Sequence, residues 1–151
     1  MKFGEMKKVE LNTLLDDGTY IGKIVKVMKQ GVGTSGKYCQ LQIDLFSTDN
    51  KRIGAIFETI SESETQISQK KAYRLVRALK MEFKDEEEFT IKKFVNRLGS
   101  VADNLFKIDI TTQLQDNYRP RNVADINYGT FYLLDEDTTE EASIDTATEA
   151  F

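Results

Sequence analysis

The sequence predicts a mainly β fold with a helical insertion and a disordered acidic C-terminal tail. Three observations carry this. Apolar and polar residues alternate with period two before residue 61 and again after residue 103. Between residues 65 and 98 the apolar residues recur at helical spacing. After Leu134 the periodicity stops, and the last 17 residues hold seven acids and no base.

Residues 1–17 form a lead-in that ends at the turn signal Asp16-Asp17-Gly18. Thr19 to Lys29 is rich in Tyr, Ile and Val and predicts the first strand. Gly22 inside it predicts a bulge or sharp bend. Gln30 to Gly36, with three glycines, predicts a flexible loop. Tyr38 to Phe46 is the clearest strand. Cys39, Leu41, Ile43 and Leu45 share its dry face, and Tyr38, Gln40, Gln42 and Asp44 share the polar one. Ser47 to Asn50 is a turn, and Arg52 to Ile60 is the returning strand, with Gly54 as a second bend.

Ile67, Ala72, Leu75, Val76 and Leu79 predict a helix over 65–81, with Lys70, Lys71, Arg74 and Arg77 on a solvated face. Asp85 and Glu88 resemble a capping box before a second helix, which Gly99 ends. Strand character returns at Asn104 to Ile110. After the turn at Asp116-Asn117, Tyr118 to Asn127 makes a final strand, and Pro120 places it at an edge. Three strands, a helical insertion and two strands give the order of a five-stranded OB-fold barrel with its helices between strands 3 and 4. Residues 1–134 would form this domain and 135–151 the tail.

Composition narrows the chemistry. The chain has no histidine and one cysteine, Cys39. Histidine-based acid–base catalysis, catalytic triads and ordinary structural zinc sites are therefore excluded. No metal or cofactor is expected, and no enzymatic activity. No stretch approaches the roughly 20 apolar residues that span a bilayer, and the N-terminus lacks the apolar core of a signal peptide, so a cytoplasmic protein is expected. Residues 1–134 hold all 21 Lys and Arg residues and 18 of the 25 acids, a net charge of +3; the tail is −7. A mildly basic body suits a polyanion, and a tethered acidic arm suits competition with that polyanion or recruitment of a basic partner.

Several motifs bear on function. Gly31 to Lys37 matches the spacing of a phosphate loop, but Tyr38 replaces the Ser/Thr and a strand follows instead of a helix, so nucleotide hydrolysis is rejected. Lys37 could still meet a phosphate from a mobile loop. Tyr38, on the polar face of its strand, offers any base a stacking surface. Phe57 and Phe46 are weaker stacking candidates, since their facing is not fixed and core packing is the favoured role. Tyr118, Arg119 and Arg121 place an aromatic and two guanidiniums in one segment, with Lys107 expected on the paired strand. Lys23, Lys26 and Lys29 punctuate the first strand. At period two, Lys23 and Lys29 share a side and Lys26 does not. Glu86 to Glu88 reads as a helix-dipole complement in preference to a metal site.

Asp17-Gly18-Thr19-Tyr20, Ser35-Gly36-Lys37-Tyr38, the Tyr73 to Met81 segment and Arg121-Asn122-Val123 together resemble small bacteriophage proteins with an OB-like core. The acidic tail ending in Phe151 resembles the C-terminal arm of bacterial and phage single-stranded DNA-binding proteins, although Ala150 stands where bacterial members carry proline. The resemblance implies sequence-nonspecific binding of single-stranded DNA in phage replication or recombination, in the host cytoplasm. It implies no membrane partner. It also implies that Asp145, Glu149 and Phe151 contact replication or recombination proteins. Lys23, Lys37, Tyr38, Phe57, Lys107, Tyr118, Arg119 and Arg121 are the expected DNA contacts. A homodimer is left open. The competing expectation is a protein–protein adaptor that binds no nucleic acid.

Overall fold

The computed structural model describes residues 1–6, 14–34, 36–113, 120–126 and 129–136. Strands β1 (Gly18–Gly33), β2 (Gly36–Phe46) and β3 (Arg52–Ser61) form an antiparallel meander. Helices α1 (Gln66–Ala78) and α2 (Ile91–Val101) come next. Strands β4 (Phe106–Gln113), β5 (Arg121–Ala124) and β6 (Phe131–Leu133) complete the sheet. The strand order is β3-β2-β1-β4-β5, and β6 pairs with the first half of β4.

The sheet is therefore open and six-stranded, where the sequence suggested a closed five-stranded barrel. β3 and β5 approach to within 8 Å between Cα atoms, yet no ladder joins them among the described residues. The lead-in segment takes the place of that ladder. Asn122 on β5 receives the Leu15 N–H at 3.0 Å and donates to the Leu15 carbonyl at 3.0 Å. The Leu15 side chain meanwhile lies against Gly54 of β3, 3.5 Å from where a Cβ would sit.

The alternation in β2 sets the core. Cys39, Leu41, Ile43 and Leu45 are fully buried, and Ile56 and Ile60 of β3 and Phe106, Ile108 and Ile110 of β4 meet them. Both helices lay an apolar face on this cluster through Leu75, Leu79, Phe94 and Leu98. Burial pushes the Cys39 thiol up to about 11, so it is an inert packing residue.

Helix boundaries differ from expectation at their caps. Thr65 and Thr90 are the N-caps, accepting from the backbone of Ser68 and Lys93. Asp85 starts a turn and Glu88 follows it, so the pair does not open a helix. α2 also runs through Gly99 to Val101. The end of α1 is closed by Lys80 at φ 58°, with Met81 N–H on the Val76 carbonyl and Lys80 N–H on that of Arg77. This is the geometry that glycine usually supplies.

The cationic residues of α1 are not a solvated face. Arg74 is buried, Lys71 pairs with the buried Glu58, and Arg77 pairs with Glu136. Arg74 lies over the Tyr132 ring and against Gly129, where the backbone has a φ of +91° and the guanidinium leaves no room for a side chain. Beneath it, the Asp109 carboxylate accepts from Thr19 and Tyr132 hydroxyls, both at 2.7 Å. Burial raises its pKa, against the two hydroxyls, and the charges of Asp125 and Arg74 then act in opposite senses. β6, absent from the sequence reading, brings Tyr132 to this knot. Glu136, placed by the sequence in the tail, accepts from Leu133 N–H and Lys107.

The register shifts of β1 fall after Gly22, and Gly22 itself is a close-packing position. A Cβ there would lie 2.7 Å from the Phe106 ring and 3.2 Å from Ile43. Gly22→Ala is expected to destabilise the fold by about 1–3 kcal/mol through overpacking, read as a lower urea midpoint with unchanged slope.

The segment before α2 is pinned by Glu87, which pairs with Arg97 and Lys93. Hydrogen bonds from Arg97 hold the Glu87 carboxyl down to about 2. A depressed carboxyl adds stability above its unfolded pKa and loses it as pH falls through the folded value. Acid unfolding of Glu87→Gln should therefore show a shallower loss of stability between about pH 4.5 and pH 2 than the parent does.

Candidate nucleic-acid interface

Two irregularities in β1 build the site. The β1–β2 register pairs Lys23 with Asp44 and Ile24 with Ile43, then skips Val25. It resumes with Lys26 on Gln42 and Val27 on Leu41, skips Met28, and continues with Lys29 on Gln40. Each skipped residue is a bulge that reverses the facing of the residues after it. Val25 and Met28 are accordingly exposed. Without bulges Lys26 would oppose Lys23 and Lys29. With both, the three lysines stand in one row, two ladder rungs or roughly 7 Å apart, on the side away from the core.

The row continues across the sheet. Gln42 pairs with Phe57, Gln40 with Thr59 and Tyr38 with Ser61. One rung thus reads Lys26–Gln42–Phe57: a cation, an amide and a ring. Phe57 is 53% exposed, so its facing is outward and the core-packing alternative does not hold. The expected Gly-rich loop is absent. β1 and β2 extend as a ribbon to Gly33 and Gly36. Tyr38 lies across Gly31 opposite, its hydroxyl 2.8 Å from where a Cβ would stand, and Lys29 Nζ sits 6.0 Å from the ring centre. One ring face is covered by backbone, and Tyr38 is half-buried.

Asp44 is the one acid on this row. Arg52 Nε donates to it at 2.9 Å and Gln42 at 3.1 Å. Burial pushes its pKa up, but the bonds from Arg52 and Gln42 and the charges of Arg52 and Lys23 outweigh this and hold the carboxyl below its ordinary value. It therefore stays ionised, with its charge engaged chiefly by Arg52.

The other candidates separate. Lys23 is half-buried on the row, with Nζ 3.7 Å from the exposed Asp103. Lys37 pairs with Val32, one residue from Tyr38 and so on the opposite face of the ribbon, and both line a groove beside Lys92 and Val95 of α2. Lys107 shares the outward side of the sheet, but its Nζ donates to the Glu136 carbonyl at 2.6 Å. Arg121 is exposed and pairs with Gln113. Gln113 lies six residues from Lys107, roughly 20 Å along the strand, so Lys107 and Arg121 do not form the expected cluster. Tyr118, Arg119, Asp145, Glu149 and Phe151 lie outside the described residues. Lys26 and Lys29 were not among the expected contacts, although the sequence shows the three lysines together and a bulge is what could reunite them. Their signal was a lysine at every third position, a period that a strand can hold on one face only by bulging at each repeat.

No protein-family model matches the chain, and no curated protein is significantly similar to it. Among the described residues no group of three or more His, Cys, Asp or Glu could hold a metal ion, and no helix is long and apolar enough to cross a membrane.

Proposed function

We propose that the outward face of β1–β2–β3 binds single-stranded DNA without sequence preference. The observation that carries this is the double bulge, which gathers Lys23, Lys26 and Lys29 beside the exposed ring of Phe57. Lysines in a row track phosphates, and an exposed aromatic stacks any unpaired base. Gln40 and Gln42 lie between them and can donate or accept at base edges. Three further features favour an OB-type scaffold. The strand order equals that of the OB barrel opened at its β3–β5 seam, the helices fall between β3 and β4, and Leu15 fills the seam. In this reading the protein coats single strands during phage replication or recombination in the host cytoplasm. The acidic tail, through Asp145, Glu149 and Phe151, recruits partner proteins and competes with DNA for the lysine row.

Titration with oligo-dT at several salt concentrations tests the site. Lys26→Ala should flatten the salt dependence by about 0.7 in the slope of log K against log salt, the value of one phosphate contact on a single strand. Phe57→Ala should weaken binding by about 1–3 kcal/mol and leave that slope alone. A parent chain that binds no oligonucleotide, or variants that bind as the parent does, would reject the site.

Asp44→Asn gives a test of opposite sign. It removes the acid of the row and releases Arg52, so affinity for oligo-dT should rise and the salt slope should steepen. Weaker binding would show that Arg52 held by Asp44 is part of the contact surface.

A further inference from the structure

A second surface has the opposite chemistry. Between the end of β3, one side of α1 and the segment before α2 lies a groove of about 660 Å³. Tyr73, Val76, Phe83 and Phe89 line it, and Tyr73 is 67% exposed. Five acidic residues, Glu62, Glu64, Asp85, Glu87 and Glu88, line it with these rings, and among the described residues no Lys or Arg does. Two of the acids have structural duties: Glu62 accepts from Ile91 N–H at 2.8 Å, and Glu87 is held by Arg97 and Lys93. Glu64, Asp85 and Glu88 have no ion pair among the described residues. An aromatic floor with an uncompensated acidic rim suits a short segment that carries an apolar anchor between cations.

The chain itself contains such a segment. Residues 1–8 read Met-Lys-Phe-Gly-Glu-Met-Lys-Lys, with three lysines against one acid. Phe3 to Met6 form one helical turn, with Glu5 N–H on the Lys2 carbonyl at 3.0 Å. Met1, Phe3 and Met6 are all exposed, Phe3 at 79%. We infer that the N-terminal segment of one copy docks in the acidic aromatic groove of the next, with Phe3 among Tyr73, Phe83 and Phe89 and Lys2 facing the free carboxylates. Arm and groove are different surfaces, so copies can join by reciprocal exchange of arms or head to tail, as a ring or an open chain. One short arm gives a weak bond in free solution. Copies aligned on a common template would raise its effective concentration and turn it into cooperativity. The contact itself does not depend on the DNA reading and is tested without DNA.

The test is photo-crosslinking of the full chain with p-benzoylphenylalanine at position 3, using a mixture of isotopically light and heavy copies. Light–heavy crosslinked products should appear in proportion to concentration, joining position 3 to peptides that contain Tyr73, Phe83 or Phe89. Their yield should fall roughly tenfold when salt rises from about 0.05 M to about 0.5 M, because the rim is screened. The exposed double change Glu64→Lys with Glu88→Lys should remove them while leaving the thermal midpoint near that of the parent. Crosslinks confined to single copies, crosslinks to other surfaces, or a yield indifferent to the charge reversal would each overturn the inference.

Discussion

Strand β1 is the hinge of the sheet's pairing. Its first third pairs with β4, from Gly18 to Gly22, while its length from Ile21 to Gly33 pairs with β2. At Ile21 and Gly22 both neighbours are paired, one on each edge. Beyond that overlap the bulges at Val25 and Met28 add curvature, because an extra residue on one side of a ladder increases local twist and curls the sheet. The same two insertions decide which side chains face outward. Ile24, Val27 and Gln30 stay in register with Ile43, Leu41 and Cys39, so the core is uninterrupted, and the lysines are delivered to the other side. Curvature and cationic surface are thus one feature of the chain.

How much of this was legible in the sequence depends on which force fixed each element. β2 was legible because one face is dry and one is wet, so burial writes itself as strict alternation from Cys39 to Leu45. The bodies of both helices were legible for the same reason at a different period. What could not be read were features set by partners distant in sequence. β6 is three residues long and exists because β4 has a vacant edge, and its Tyr132 is held by Asp109, 23 residues earlier. The basic residues of α1 look like a solvent face until Glu58 and Glu136 are seen opposite them. That Gly22 leaves room for Phe106 shows only when β4 is placed beside it. In each case the local pattern reports the chemistry correctly and leaves the neighbour unnamed.

The site was legible in kind and only in part by residue. Alternation alone puts Tyr38 on the polar face, and Phe57 stands out as a ring although its facing could not be fixed. Lys37 and Lys107 lie off the lysine row for separate reasons. Lys37 lies one rung from Tyr38, and one residue along a strand is a reversal of side. Lys107 has the right facing, but a backbone carbonyl claims its ammonium group, which a sequence cannot show.

Charge is segregated on this molecule in a way that its composition conceals. The lysine row and the acidic groove lie on different elements, β1 on one side and α1 with the segment before α2 on the other. Each contains a device that adjusts its field. On the row, Asp44 is retained but cancelled by Arg52, which keeps a polar surface hydrated without reversing its sign. At the groove, Arg97 lies 4.3 Å over the Phe83 ring while its guanidinium holds Glu87, so the aromatic floor is fixed by a cation that spends its charge on one acid and leaves the rim negative. On the proposed reading, copies side by side on one strand would repel one another if their surfaces were uniformly positive. A basic face combined with a remote acidic one would offset part of that repulsion.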